Sequence, residues 1–171
     1  MFTSSFCGLP IVDFTNTHFI SEADHVKIMK RSKPEPGDIL FSKIGTMGNI
    51  AVVTQNFQFS IKNVALFKPL TKHHTNYIYC FFRNEHNLNS LVAKSSGTSQ
   101  KFVSLDFLNK LKMLVPSDAY LMRFDELISP LLYQRHKLYA KNLNLTKTRD
   151  ILLPKLISGQ VDVSELDIKV P

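Results

Sequence analysis

Tryptophan is absent, glycine occurs only six times, and there are just two cysteines in 171 residues. Cys7 and Cys80 are far apart and show no metal-ligand spacing. Two such thiols offer neither a disulfide framework nor a cysteine-based metal site, and they suit a reducing compartment. Cys80 lies in the apolar run Tyr77–Phe82, where a buried thiol is expected. No stretch approaches the ~18 consecutive apolar residues that a membrane span requires. Met1–Pro10 lacks the basic region and apolar stretch of a secretory signal. These absences predict a soluble, cytoplasmic protein.

Acidic residues are also in short supply, 14 against 21 Lys and Arg, for a net charge of +7. The imbalance is uneven. Residues 1–116 carry a net +6, residues 117–160 a net +3, and residues 161–171 a net −2. A basic excess on the larger part suggests a polyanionic partner. Hydrophobic residues make up 44% of the chain, with 13 Phe among them, so a packed core is expected. The length suits one ordinary domain plus a long element.

Local patterns divide the chain in the same way. Ser21–Lys30 reads as a short helix capped by Ser21. The turn signal Pro36-Gly37-Asp38 leads into a strand at Ile39–Ser42. Gly45–Asn49 is a turn, and the β-branched Ile50–Thr54 a second strand. Phe57, Phe59 and Ile61 alternate with Gln58 and Ser60, as in a half-buried strand. Val64–Phe67 is a further strand. Asn76–Arg83 is read as a helix, with a strand equally compatible, and Leu88–Lys94 as a helix. The loop Ser95–Gln100 precedes a short strand at Phe102–Ser104, a brief helix at Leu105–Asn109 and a strand at Leu111–Val115.

From Ser117 to Ser158 there is no glycine. Phe124, Leu131, Leu138, Leu145 and Leu152 recur at an interval of seven, which calls for a partner helix along that stripe. Gln134, Arg135, Lys141 and Asn142 flank the later part, so the seam is narrow and suits an antiparallel pairing. Ser129-Pro130 predicts a new helix start, with Ser as cap and Pro at the first helical position. Pro154 predicts a kink or stop, and Ser158-Gly159 the end. The expected fold class is α+β: a mixed, strand-rich domain over 1–116, a long coiled-coil-forming helix over 117–160, and a flexible acidic tail over 161–171.

The stretch Leu145–Val161 contains Arg149-Asp150, Leu152-Leu153-Pro154-Lys155-Leu156 and Ser158-Gly159. It resembles the end of the conserved helical region in specificity subunits of type I restriction–modification systems. Gly37–Ser42 with Gly45-Thr46-Met47-Gly48 resembles the strand and turn of that family's target recognition domain. Gly97–Gln100, Val103-Ser104 and Leu111–Pro116 follow in the family's order, so the resemblance covers about 37–161. One departure is Ser117 after Pro116, where the family usually has Gln. Family members usually carry two recognition domains and two helical regions. One of each here matches the C-terminal half, so a half-subunit, split product or fragment is expected. The resemblance implies reading of one half of a bipartite site in double-stranded DNA. It also implies docking of a methyltransferase subunit, an indirect link to the restriction subunit, and no catalysis by this chain.

DNA contacts require Gln, Asn, Arg or Lys at base edges, and cations, hydroxyls and free amides at phosphates. The 94–101 loop supplies both kinds through Lys94, Ser96, Thr98, Gln100 and Lys101. Lys43, Thr46 and Asn49 around the glycine turn, and Lys62-Asn63 between strands, are further candidates. No catalytic centre, cofactor or metal site is expected. Glu165, Asp167 and Lys169 superficially match a nuclease element but sit in a charged tail without strand context. His73-His74 reads as a surface loop, because adjacent residues do not face one way in a strand. Lys43–Gly48 lacks the Gly-Lys-Ser/Thr end of a phosphate-binding loop. The alternatives are a helix-mediated assembly protein without a DNA role and, less favoured, a metal-dependent nuclease. The stripe predicts self-association or pairing with another half-subunit.

Overall fold

The computed structural model describes residues 12, 14, 19–44, 47–54, 56–93 and 102–161. The fold is α+β. Its elements are α1 (Glu22–Arg31), β1 (Ile39–Ser42), β2 (Ile50–Val52), β3 (Val64–Phe67), α2 (Lys72–Arg83), α3 (Glu85–Ala93), α4 (Leu105–Asn109) and α5 (Asp118–Ile157). The chain forms two compact units that divide between Leu132 and Tyr133.

In the first unit the three strands make an antiparallel sheet in the order β2-β1-β3. All four residues of β1 are buried. Ile39 pairs with Val52 and Phe67, Phe41 with Ile50 and Ala65, and Leu40 with Ala51 and Leu66. Because side chains alternate along a strand, this register sorts the apolar residues onto two faces. Ile39, Phe41, Ile50 and Ala65 meet Tyr79 and Phe82 of α2, Leu91 of α3 and Leu108 of α4. Phe82 lies 5.2 Å from Phe41 and 5.1 Å from Phe67, centroid to centroid. Leu40 and Ala51 face the other way, with Val53, Phe59, Ile61 and Val12.

The helices form for local reasons that the sequence carries. Ser21 caps α1 by accepting the Asp24 N–H, and Lys30 and Arg31 sit in its last turn, where cations are favoured. In α2 the buried Thr75, Tyr79 and Phe82 recur at helical spacing. Ser104 caps α4 by accepting the Phe107 N–H. Gly48 has φ +88° and its Cβ would lie 2.4 Å from Leu88, so the turn before β2 requires glycine.

Several sequence expectations are corrected. Residues 57–61 form no strand. Phe59, Ser60 and Ile61 are all buried and cover the second sheet face as an irregular segment. Phe102–Ser104 makes only a single bridge, Phe102 to Ile44. Leu111–Val115 is not a strand; the Leu114 carbonyl accepts the Tyr77 hydroxyl at 2.6 Å, and the Leu114 side chain is exposed. Ser129-Pro130 does not start a helix, since α5 runs through it and through Pro154. Ser129 instead donates to Asp125 Oδ1 at 2.9 Å and accepts from Asn76 at 2.9 Å. The helix ends at Gly159 (φ +70°) with the paired bonds Gly159 N–H to Leu156 O and Gln160 N–H to Lys155 O. Cys80 is half-buried against the first core cluster, while Cys7 and the tail from 162 onward lie outside the described residues.

The start of α5 is anchored in the first unit. Leu121 is buried, and Phe124 stacks edge-on to Tyr77 at 5.8 Å. Asp125 is also buried, and its carboxylate bonds to Asn76 (shorter bond, 2.6 Å), Ser129 and His73 (2.8 Å). His73 and His74 thus belong to the first turn of α2 and not to a loop. Burial pushes the Asp125 carboxyl up, but the bonds from Asn76, His73 and Ser129 outweigh it and hold it below its ordinary value. A depressed carboxyl stabilises the fold above its unfolded value, and that contribution is lost as pH falls through the lower folded value. Asp125→Ala, which leaves three part-buried partners without their acceptor, is expected to cost about 1–3 kcal/mol in urea unfolding at neutral pH. The cost should shrink below about pH 4; an unchanged midpoint at neutral pH would remove the anchor.

Candidate nucleic-acid interface

The turn before β1 sets the charge pattern of one side of the first unit. Gly37 adopts φ +92°, and its carbonyl accepts the Thr75 hydroxyl at 2.9 Å. Asp38 is buried, accepts the Glu35 N–H at 2.8 Å and pairs with Lys68 at 2.9 Å. Lys68 also meets Glu35 at 2.8 Å, and Lys33 meets the same carboxylate at 3.1 Å. The Lys68 and Lys33 ammonium groups hold the Glu35 carboxyl below its ordinary value. Burial lowers the Lys68 value, but the bonds to Glu35 and Asp38 outweigh it and raise the net value. Lys33 and Lys68 are therefore neutralised internally.

Beside this clamp lies a cleft of about 1120 Å³. Ile61, Val64, Ala65 and Leu66 contribute apolar lining, and Lys27, Arg31, Lys33, Lys43, Lys62 and Lys68 contribute cations against Asp24. Among the described residues, Arg31, Lys43 and Lys62 have no carboxylate partner.

Several residues anticipated from the sequence meet here. The Lys43 N–H points to the Asn63 carbonyl at 3.5 Å, and the Lys43 carbonyl accepts the Val103 N–H at 3.0 Å. Lys62 and Asn63 line the same cleft, with Asn63 at φ +62°, a conformation Asn tolerates. The Ile44–Phe102 bridge brings Phe102 beside the residue that follows Lys43. Asn49 does not line the cleft; it is half-buried at the turn before β2, and its carbonyl accepts the Ser42 N–H at 2.8 Å. Thr46, Lys94, Ser96, Thr98, Gln100 and Lys101 lie outside the described residues, as do Glu165, Asp167 and Lys169. Sequence reasoning missed Lys27, Arg31 and Lys33. Their signal was the basic run Lys27–Lys33 at the end of a capped helix.

The seven-residue stripe on α5 changes character along its length. Phe124 is half-buried against Tyr77, whereas Leu131, Leu138, Leu145 and Leu152 are 65, 60, 67 and 43% exposed. Among the described residues, no group of three or more His, Cys, Asp or Glu could hold a metal ion, and no helix is long and apolar enough to cross a membrane.

Residues 11–126 match the family described as the type I restriction modification DNA specificity domain, and the chain belongs to that family. It is similar to the type I restriction enzyme MjaIX specificity subunit of Methanocaldococcus jannaschii, with 28% identity over 131 residues. That alignment covers 75% of this chain and 30% of the relative, so the chain spans well under half of the relative's length.

The clamp makes a prediction of its own. Lys68→Met should destabilise the first unit by about 1–2 kcal/mol in urea, because Asp38 stays buried while Lys68 itself is half exposed. A raised lysine value means that the contribution is complete below the unfolded lysine value and is lost as pH rises through the folded one. An equal stability of variant and wild type at pH 7 would refute it.

Proposed function

We propose that this chain reads one half of a bipartite site in double-stranded DNA, as part of the specificity subunit of a type I restriction–modification complex. One observation carries the reading. Lys43, Lys62 and Asn63 converge beside the chain that leaves the 94–101 loop, in a module of a DNA-specificity family. Base reading falls to Asn49, Asn63 and Gln100, whose side-chain amides present a paired donor and acceptor to base edges. Thr46, Ser96 and Thr98 supply hydroxyls to phosphates, and Lys43, Lys62, Lys94 and Lys101 supply charge to them. The reading domain spans 1–116, the spacer helix 117–160 and an acidic tail 161–171. The chain acts in the cytoplasm without a cofactor or catalytic centre, and a methyltransferase subunit and, through it, a restriction subunit carry out the chemistry.

Duplex selection from a random library should enrich a short motif, with binding that weakens as salt rises. No enrichment, together with no salt-dependent binding, would sink the DNA reading and favour an assembly role.

The spacer also pairs with a second copy or with another half-subunit. Leu131, Leu138, Leu145 and Leu152 are exposed apolar residues at heptad spacing, which is the pattern that a partner helix covers. Leu138→Asp with Leu145→Asp should convert a dimer to a monomer in sedimentation velocity. A wild-type chain that is already monomeric at tens of micromolar, and that gains no partner from a second half-subunit, would exclude the stripe as an interface.

A further inference from the structure

The wall of the cleft formed by α1 has no counterpart among the loops assigned to DNA reading. None of the residues of α1 is buried. The helix is held by a hydrogen bond between His25 Nδ1 and Ser60 Oγ at 2.8 Å, and Ile28 faces the cleft. A helix that adds nothing to the buried core yet is fixed in place acts as a wall. It carries Arg31 on the cleft side, and the 62–63 corner carries Lys62.

We infer that this cleft is a track for one sugar–phosphate strand of the DNA, with Arg31 and Lys62 as its phosphate-binding cations. The inference rests on the DNA reading proposed above and extends it from Lys62 across the cleft to Arg31 on α1. Three features support it. Among the described residues, Arg31 and Lys62 have no carboxylate partner and lie on separate chain segments, so each can meet a phosphate without losing one. Lys33 and Lys68, engaged by Glu35 and Asp38, are withheld from the ligand. Ile61, Val64 and Leu66 add apolar surface to the same lining, and deoxyribose presents a largely apolar surface between phosphates. Contacts of this kind set register and affinity and carry no sequence information.

The test is duplex binding by the full chain, followed by fluorescence anisotropy across a salt series. The variants are Arg31→Gln with Lys62→Gln, and Lys30→Gln as a cation of the same helix that does not line the cleft. The double variant should bind selected and random duplexes about tenfold more weakly alike, and the slope of log affinity against log salt should become shallower by about 1.8. Lys30→Gln should leave the slope within about 0.3 of wild type. Urea midpoints of all variants should match, since none of the three side chains is buried. If wild type binds DNA with a salt dependence that the double variant retains in full, the track is wrong and the DNA reading stands. If the slope is retained but capture of an acidic protein partner is lost, the cleft binds protein and the track is equally wrong. If wild type does not bind duplex DNA at all, the parent reading fails first.

Discussion

Strand β1 lies in the middle of a three-stranded sheet with no exposed face. Ile39 and Phe41 point to one side and Leu40 to the other, and all are buried. A sheet with two apolar faces needs two covers. The first is helical, because Thr75, Tyr79, Phe82 and Leu91 sit at spacings that a helix turns inward. Among the described residues the second core cluster contains no helical residue; Val12, Phe59 and Ile61 cover that face. Each buried side chain of this kind contributes roughly 1.5–3 kcal/mol, so the two covers hold the sheet far more firmly than its few ladder bonds do.

The irregular cover has a functional consequence. A helix laid across the second face would have filled the space beside β3. The 59–66 stretch instead leaves Ile61, Val64 and Leu66 lining a cleft, with α1 as its far wall. Charge is then sorted by carboxylates that are few and local. Glu35 and Asp38 hold Lys33 and Lys68, while Arg31, Lys43 and Lys62 have no carboxylate partner among the described residues. The overall +7 is thus less informative than the distribution of the acidic groups.

The long helix shows two regimes in its own sequence. Up to Leu132 it belongs to the first unit, and its polar Asp125 and Ser129 are satisfied by α2. Beyond Tyr133, Leu138, Leu145 and Leu152 are exposed at an interval of seven. Proline at 130 and 154 lacks the helical N–H, at a cost of about 3 kcal/mol in an ordinary interior. The network at Asp125 beside the first of these residues offsets part of that cost.

Much of this was legible in the residues alone. Ser21 as cap placed α1, the Pro36-Gly37-Asp38 turn placed β1, and the glycine-free run with its seven-residue stripe placed the long helix. The alternation at 57–61 misled, since burial at positions 59, 60 and 61 needs no ladder partner, and the apolar run 111–115 misled because no sheet edge receives it. His73 and Asp125, 52 positions apart, and the division of cations into neutralised and free could not be read from spacing. Local sequence determines which element forms, because its hydrogen bonds and caps close within a few residues. Which charges stay unpaired, and which face stays open, depends on side chains that meet only when distant segments pack.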